Sequence, residues 1–141
     1  MNDASPAPLA FLMLGAVHEM EAQLESALGQ VGLSLAKFGV LAKLAEAGEP
    51  LALSSLADRC CCVRSNMTQL IDRLQTDKLV ERVDDPTDRR SIKASLTPEG
   101  RSRYEDGARL LDEAERDVFA RLADPERATL ARLLQDLKKN P

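Results

Sequence analysis

Three groups of side chains in this 141-residue chain have the types and spacing to do chemistry. The first is Arg64, Ser65, Asn66, Thr68, Gln69 and Arg73, interleaved with Met67, Leu70, Ile71 and Leu74. Those four apolar residues fall at i, i+3, i+4 and i+7, so on a helix they turn inward and the polar set, with Asp72, faces out. Hydroxyl, amide and guanidinium groups in such a row suit hydrogen bonding to base edges and phosphates. Gln69 can grip an adenine edge with two bonds, worth roughly 1–3 kcal/mol of discrimination. The second group is Asp88-Arg89-Arg90 with Lys93 close behind. Its cations suit a narrow, electronegative minor groove, and Asp88 can orient an arginine through a charge-assisted bond. The third is Cys60-Cys61-Cys62, where Arg59 and Arg64 favour the thiolate and with it oxidation or capture of a soft ion such as Cu(I) or arsenite. Each has a plainer alternative: the solvated side of an amphipathic helix, an exposed charge cluster at a turn, and small buried hydrophobes.

Other chemistries find no footing. No nucleophile–base pairing and no glycine-rich phosphate loop occur, so an enzyme is not expected. One histidine, His18, far from the cysteines in sequence, serves zinc poorly, and neither a metal nor a cofactor is expected. Four aromatics (Phe11, Phe38, Tyr104, Phe119) are too few for a base-stacking platform. Three consecutive cysteines make no disulfide framework. The longest apolar run, Leu9 to Val17, is well short of the ~20 residues that cross a bilayer. Residues 1–8 hold no Lys or Arg and no cleavage site follows, so a cytoplasmic protein without membrane contact is expected.

Positioning the first two groups requires particular elements. Residues 1–8, with Pro6 and Pro8, read as a disordered tail. Apolar residues at helical spacing from Leu9 to Leu28 make a first helix closed by Gly29 and Gly32. Ser34 caps a second, with Leu35, Phe38, Leu41, Ala42 and Ala45 inward and Gly48 at its end. A short extended piece, Leu51 to Leu53, precedes a third helix capped by Ser54 or Ser55, with Leu56, Ala57 and Cys60 inward. A turn at Cys61-Cys62 leads into a fourth, residues 63–76. The period then changes: Leu79–Val83 and Ser91–Leu96 form a two-stranded hairpin whose long polar tip spans residues 84–90. Thr97-Pro98-Glu99 starts a helix running to about Leu122, and Asp124-Pro125-Glu126 opens the last one.

Helix, short helix, turn, helix and hairpin spell a winged helix-turn-helix over residues 31–97, in a mainly α fold with a small β-wing. The helix at 63–76 is the one a major groove of ~12 Å would admit. Residues 9–30 and 98–141 carry apolar stripes that a core of this size cannot cover, and a symmetric homodimer is the simplest way to bury them.

The stretches LSLAKFGVLAKLAEAG, LALSSLADRC and VRSNMTQLIDRLQTDKLVERVDDPTDRRSIKASLTPEG resemble the MarR family of bacterial transcription regulators, the DPTDRR wing and LTPEG helix start most specifically. The resemblance implies an obligate homodimer with interleaved terminal helices, bound as a repressor to double-stranded DNA at a palindromic promoter site. It also implies a wing arginine in the minor groove, and release by a small-molecule effector or by thiol oxidation. His18, Phe38 and Tyr104 would line the effector cleft. Two positions depart from the pattern: Cys61 stands where Gly or Asn is usual, and Val63 where a Ser cap is usual. The competing readings are a winged-helix module that binds only proteins, and a thiol or soft-metal sensor built on the cysteine triplet.

Net charge, −4 overall, seems to oppose a DNA partner. Its distribution does not: from Arg59 to Arg103 ten Lys or Arg meet seven Asp or Glu, a local +3, while the remainder holds nine against sixteen, −7.

Overall fold

The computed structural model describes residues 8–60 and 64–139, and of Arg64, Ser65 and Arg89 only the backbone. The expected tail thus lies, but for Pro8, outside the described residues, as do Cys61, Cys62 and Val63, where a turn is expected. In chain order the elements are α1 (Leu9–Gly29), α2 (Leu35–Ala47), β1 (Leu51–Ala52), α3 (Leu53–Arg59), α4 (Arg64–Thr76), β2 (Val80–Asp85), β3 (Asp88–Leu96), α5 (Pro98–Val118) and α6 (Asp124–Lys138).

Several elements form for the reasons their residues suggest. The Ser34 hydroxyl accepts the Lys37 N–H at 3.1 Å and caps α2, and Gly48 ends it in the left-handed region. Thr97 caps α5 by accepting the Gly100 N–H at 2.9 Å, with Pro98 in the first turn. Other details differ. Helix α3 begins at Leu53, one residue before Ser54 and two before Ser55, with Ala52 held in extended backbone by strand pairing; both serines lie inside the first turn, and the N-cap has no side-chain hydrogen bond. The buried side of α2 is Val40, Leu41 and Leu44, with Ala42 and Ala45 half-buried, because the larger side chains take the centre of the core. Helix α5 stops at Val118, and α6 starts with Ala123 as its cap residue, whose N–H donates to Glu126 Oε1 at 2.8 Å.

The hairpin shows the largest departure. Most residues expected in a long tip fall within the strands, leaving Pro86-Thr87 between them, but the pairing is irregular there: Asp84 faces Ile92 and Asp85 faces Asp88, so the three residues between them on β3 have no partner on β2. The wing also has three strands, in the order β1-β3-β2, all antiparallel, with Leu51 opposite Ala94 and Val80 opposite Leu96. The outer part of the wing carries charged residues without apolar alternation, which is why its strands read as a turn.

The core lies within the winged module. Leu28, Leu41, Leu44, Leu56, Met67, Ile71, Leu74 and Leu79 are fully buried, drawn from α1, α2, α3, α4 and the turn into β2. Met67, Ile71 and Leu74 are the inward face of α4, with Leu70 half-buried beside them. By contrast α6 buries nothing, and α1 buries only Ala27 and Leu28.

Two helix ends use the same closing geometry with different residues. After α1, Leu33 N–H reaches Leu28 O at 3.0 Å over Gly32 at φ 70°; after α4, Leu79 N–H reaches Leu74 O at 2.9 Å over Lys78 at φ 63°. A β-carbon in the left-handed region costs roughly 1–2 kcal/mol, so Lys78 carries a strain that Gly32 does not. Just beyond, the first turn of α5 meets this corner: a Cβ on Gly100 would lie 2.0 Å from the Leu79 carbonyl oxygen. We therefore expect Lys78→Gly to stabilise the fold by about 1 kcal/mol, and Gly100→Ala to cost about 3 kcal/mol, typical of a severe core overpacking. Urea unfolding of the two variants against wild type checks both signs.

Candidate nucleic-acid interface

Helix α4 presents Asn66, Thr68, Gln69, Asp72 and Arg73 to solvent. Arg64 and Ser65 lie in its first turn by backbone, their side chains outside the described residues. Asp72 is not an open carboxylate: Arg82 of β2 pairs with it, and the same guanidinium donates Nη1–H to Gln75 Oε1 at 2.9 Å. Across from α4 stands β3. Ile92 lies on the same side of the sheet as the buried Ala94, and beyond it the register shifts, Asp84 facing Ile92 but Asp85 facing Asp88, so that Arg90 lies in the irregular stretch of β3. A groove of about 340 Å³ results, lined by Ser54 of α3, Thr68 of α4, and Asp88, Arg90, Ser91 and Ile92 of β3. Of the polar α4 residues read from the sequence, Thr68 shares this concavity with the wing arginine Arg90, whereas Asn66, Gln69 and Arg73 do not line it. Ser54 had no sequence signal beyond that of a helix cap.

At the wing, Asp88 Oδ1 accepts the backbone N–H of Arg90 at 3.0 Å, fixing the chain two residues on. Lys93 leans to the tip, with Nζ 3.8 Å from Asp85 Oδ2. Asp85, which the sequence reading passed over, organises that tip: its Oδ1 accepts the Thr87 hydroxyl at 2.7 Å and the Thr87 N–H at 2.9 Å. The hydroxyl bond first, then the amide and the Lys93 charge, hold its carboxyl below the ordinary 3.8 against a small opposing desolvation.

Of the suggested effector-cleft residues, two come together. Phe38 and Tyr104 stack with ring centroids 5.4 Å apart, half-buried against the core. Gly107 of α5 closes over them, since a Cβ there would lie 3.1 Å from both Phe38 and Leu33. His18 is exposed and ten residues before Leu28 on α1, about 15 Å along the axis at the ~1.5 Å rise of a helix, so it does not join them. Cys60 is half-buried at the end of α3. Among the described residues no group of His, Cys, Asp or Glu is arranged to hold a metal ion, and no helix is long and apolar enough to cross a membrane.

This arrangement is that of a known family. The MarR family model matches residues 33–92, the span from α2 through the core of the wing. The uncharacterized HTH-type transcriptional regulator YsmB of Bacillus subtilis is 34% identical over 111 residues, covering 79% of this chain and 75% of that protein. The chain belongs to the MarR family. It is a winged helix-turn-helix transcription regulator. The HTH-type transcriptional repressor Mb2911 of Mycobacterium bovis is 27% identical to this MarR-family chain over 97% of its length and 98% of the relative's. A structure described as the mechanism for regulation of DNA binding of Bordetella bronchiseptica BpsR by 6-hydroxynicotinic acid shares the fold, with a TM-score of 0.87 at 24% identity over 96% of each chain.

The depressed Asp85 carboxyl gives the wing of this MarR-family chain a definite pH response. A carboxyl held below its ordinary value contributes order above that value and loses it as pH falls through the depressed one. The pH transition of the wild-type Thr87 amide resonances should therefore be centred below 3.8, whereas Asp85→Ala should shift them at neutral pH. A Thr87 transition centred above 3.8 contradicts this account of the tip.

Proposed function

We propose that this protein represses transcription by binding double-stranded DNA as a homodimer, with α4 in the major groove and the wing in the adjacent minor groove. The observation that carries the reading is the convergence of Thr68 and Arg90 on one groove, which sets a hydrogen-bonding helix face beside a cationic strand end. Gln69, Asn66 and Ser65 read base edges; Arg64, Arg73, Arg89, Arg90, Lys93, Thr68 and Ser54 hold phosphates or the groove wall. Asp88 serves by shaping the backbone at Arg90.

The homodimer is supported by apolar surface that one chain leaves open. Leu9 is 73% exposed, Phe11 67% and Leu14 63% on α1, and Leu137 58% on α6, too much contiguous hydrocarbon for a lone chain in water. A two-fold pair presents two α4 helices and so calls for a palindromic site with half-sites one or more helical turns apart. Residues 9–30 and 98–141 form the pairing region and residues 31–97 the DNA-binding one. Relief of repression comes from a small aromatic effector at the Phe38–Tyr104 stack, where it would displace or extend the ring pair.

Arg90→Ala should weaken binding to every duplex and lower the slope of log affinity against log salt by about one, the mark of one lost phosphate contact. Gln69→Ala should leave that slope alone and relax preference at one or two base positions by roughly 1–3 kcal/mol. Gel-shift titrations over a salt series separate the two. Unchanged affinity on removing both Arg89 and Arg90 would sink the wing assignment.

A further inference from the structure

We propose that Arg82 is a positioning residue for sequence recognition: it sets the rotation of α4 about its own axis, and so which bases the helix can reach, without itself holding DNA. The inference rests on α4 being the reading helix, as proposed above.

Arg82 lies on β2 two residues beyond Val80, on the same sheet face. Val80 is buried in the core, and Arg82 continues that face past the edge of the core, toward α4. Its two terminal nitrogens take different partners: Nη2 pairs with Asp72 and Nη1 donates to Gln75 Oε1 at 2.9 Å. Asp72 and Gln75 sit one turn apart, and with Thr68 they form a single ridge at i, i+4 and i+7. A single bond would restrain only the distance between strand and helix. Two bonds from one rigid fork to two points on that ridge restrain the helix's roll as well. The tolerance matters because side-chain tips lie some 5–6 Å from the axis, so a roll of ~10° moves a tip by about 1 Å, enough to break a base-edge bond. A further polar tie near this helix, Lys37 Nζ to Asp77 Oδ2 at 3.0 Å, falls beyond Thr76 and anchors only its end. Stability is a poor reason for the clamp. Asp72 is 56% exposed and Arg82 29%, and ion pairs so near solvent add little to folding.

The test uses the full-length protein with two duplexes of equal length: one selected by wild type from a random pool, one scrambled. Arg82→Lys, Arg82→Gln and Asp72→Ala are compared by fluorescence anisotropy over a salt series. Lys keeps the charge and the stem but lacks the fork, so it separates geometry from charge. All three variants should lose about 10-fold of the preference for the selected duplex, the discrimination of a lost base contact. Salt slopes of the Arg82 variants should match wild type. Asp72→Ala is the sharpest case, since removing a negative charge beside DNA would otherwise only tighten binding. If Arg82→Lys behaves as wild type while Arg82→Gln binds both duplexes less and loses about one from the slope, Arg82 is a phosphate contact and the proposal is wrong. An unchanged preference in all three variants also overturns it. Arg90→Ala in the same assay reports on the interface itself. Loss there with unchanged preference in the Arg82 variants removes the clamp alone, whereas no loss there removes the wing assignment and leaves the clamp to be judged on its own data.

Discussion

The first turn of α5 passes so close to the Leu79 carbonyl that position 100 has room for a hydrogen and nothing larger. The same few residues are tied by Thr97, whose hydroxyl donates to Lys78 O at 2.8 Å and whose N–H donates to Leu79 O at 3.2 Å. The end of α4, the root of both wing strands and the start of α5 are therefore one corner of the molecule. Close-packed contacts of this kind shift together and do not stretch independently. The start of α5 thus meets the end of α4 and the root of the wing through backbone contacts, with no flexible linker between them.

Charge and apolar surface divide along the same line. Helices α5 and α6 spend many of their charges on their own turns, in pairs such as Arg116 with Asp112 and Arg132 with Asp136. On the head, Arg73 and Arg90 are exposed, with no carboxylate in ion-pair range among the described residues. The head also holds ion pairs, Arg82 with Asp72 and Lys93 with Asp85, and it is the excess of cations over carboxylates there that gives a basic head on an acidic frame, whose repulsion disfavours indiscriminate wrapping of DNA. The apolar residues lie the other way: the head encloses its leucines, and the outer parts of α1 and α6 leave theirs open.

Much of this was legible in the sequence, for reasons that differ by element. The inward face of α4 was certain from four residues because an amphipathic helix records its orientation in its spacing. The caps at Ser34 and Thr97 were legible because the interaction is local, spanning three residues. The wing was harder. Strand β1 is two residues long and exists only because β3 lies beside it. The outer parts of β2 and β3 carry Asp and Arg and pair with a shifted register, so they left no alternating trace. Asp85 looked like one more turn acid, although its two bonds to Thr87 organise the tip.

What the sequence determined by itself was the class of element at each position, the helix-turn-helix order, the polar set on α4 and the presence of arginines near the wing. All of these depend on neighbours within about one helical turn or one hairpin. What only the tertiary structure decided was which distant residues share a surface. Thr68 and Arg90 come to line one groove; Arg82 reaches back to Asp72 and Gln75; Asp88 serves the Arg90 main chain; and Phe38 stacks on Tyr104. Those pairings are set by how β2 packs against α4, how β3 meets α3, and how α5 crosses α2. Contacts between residues far apart in the chain depend on packing that no local pattern of residue types encodes.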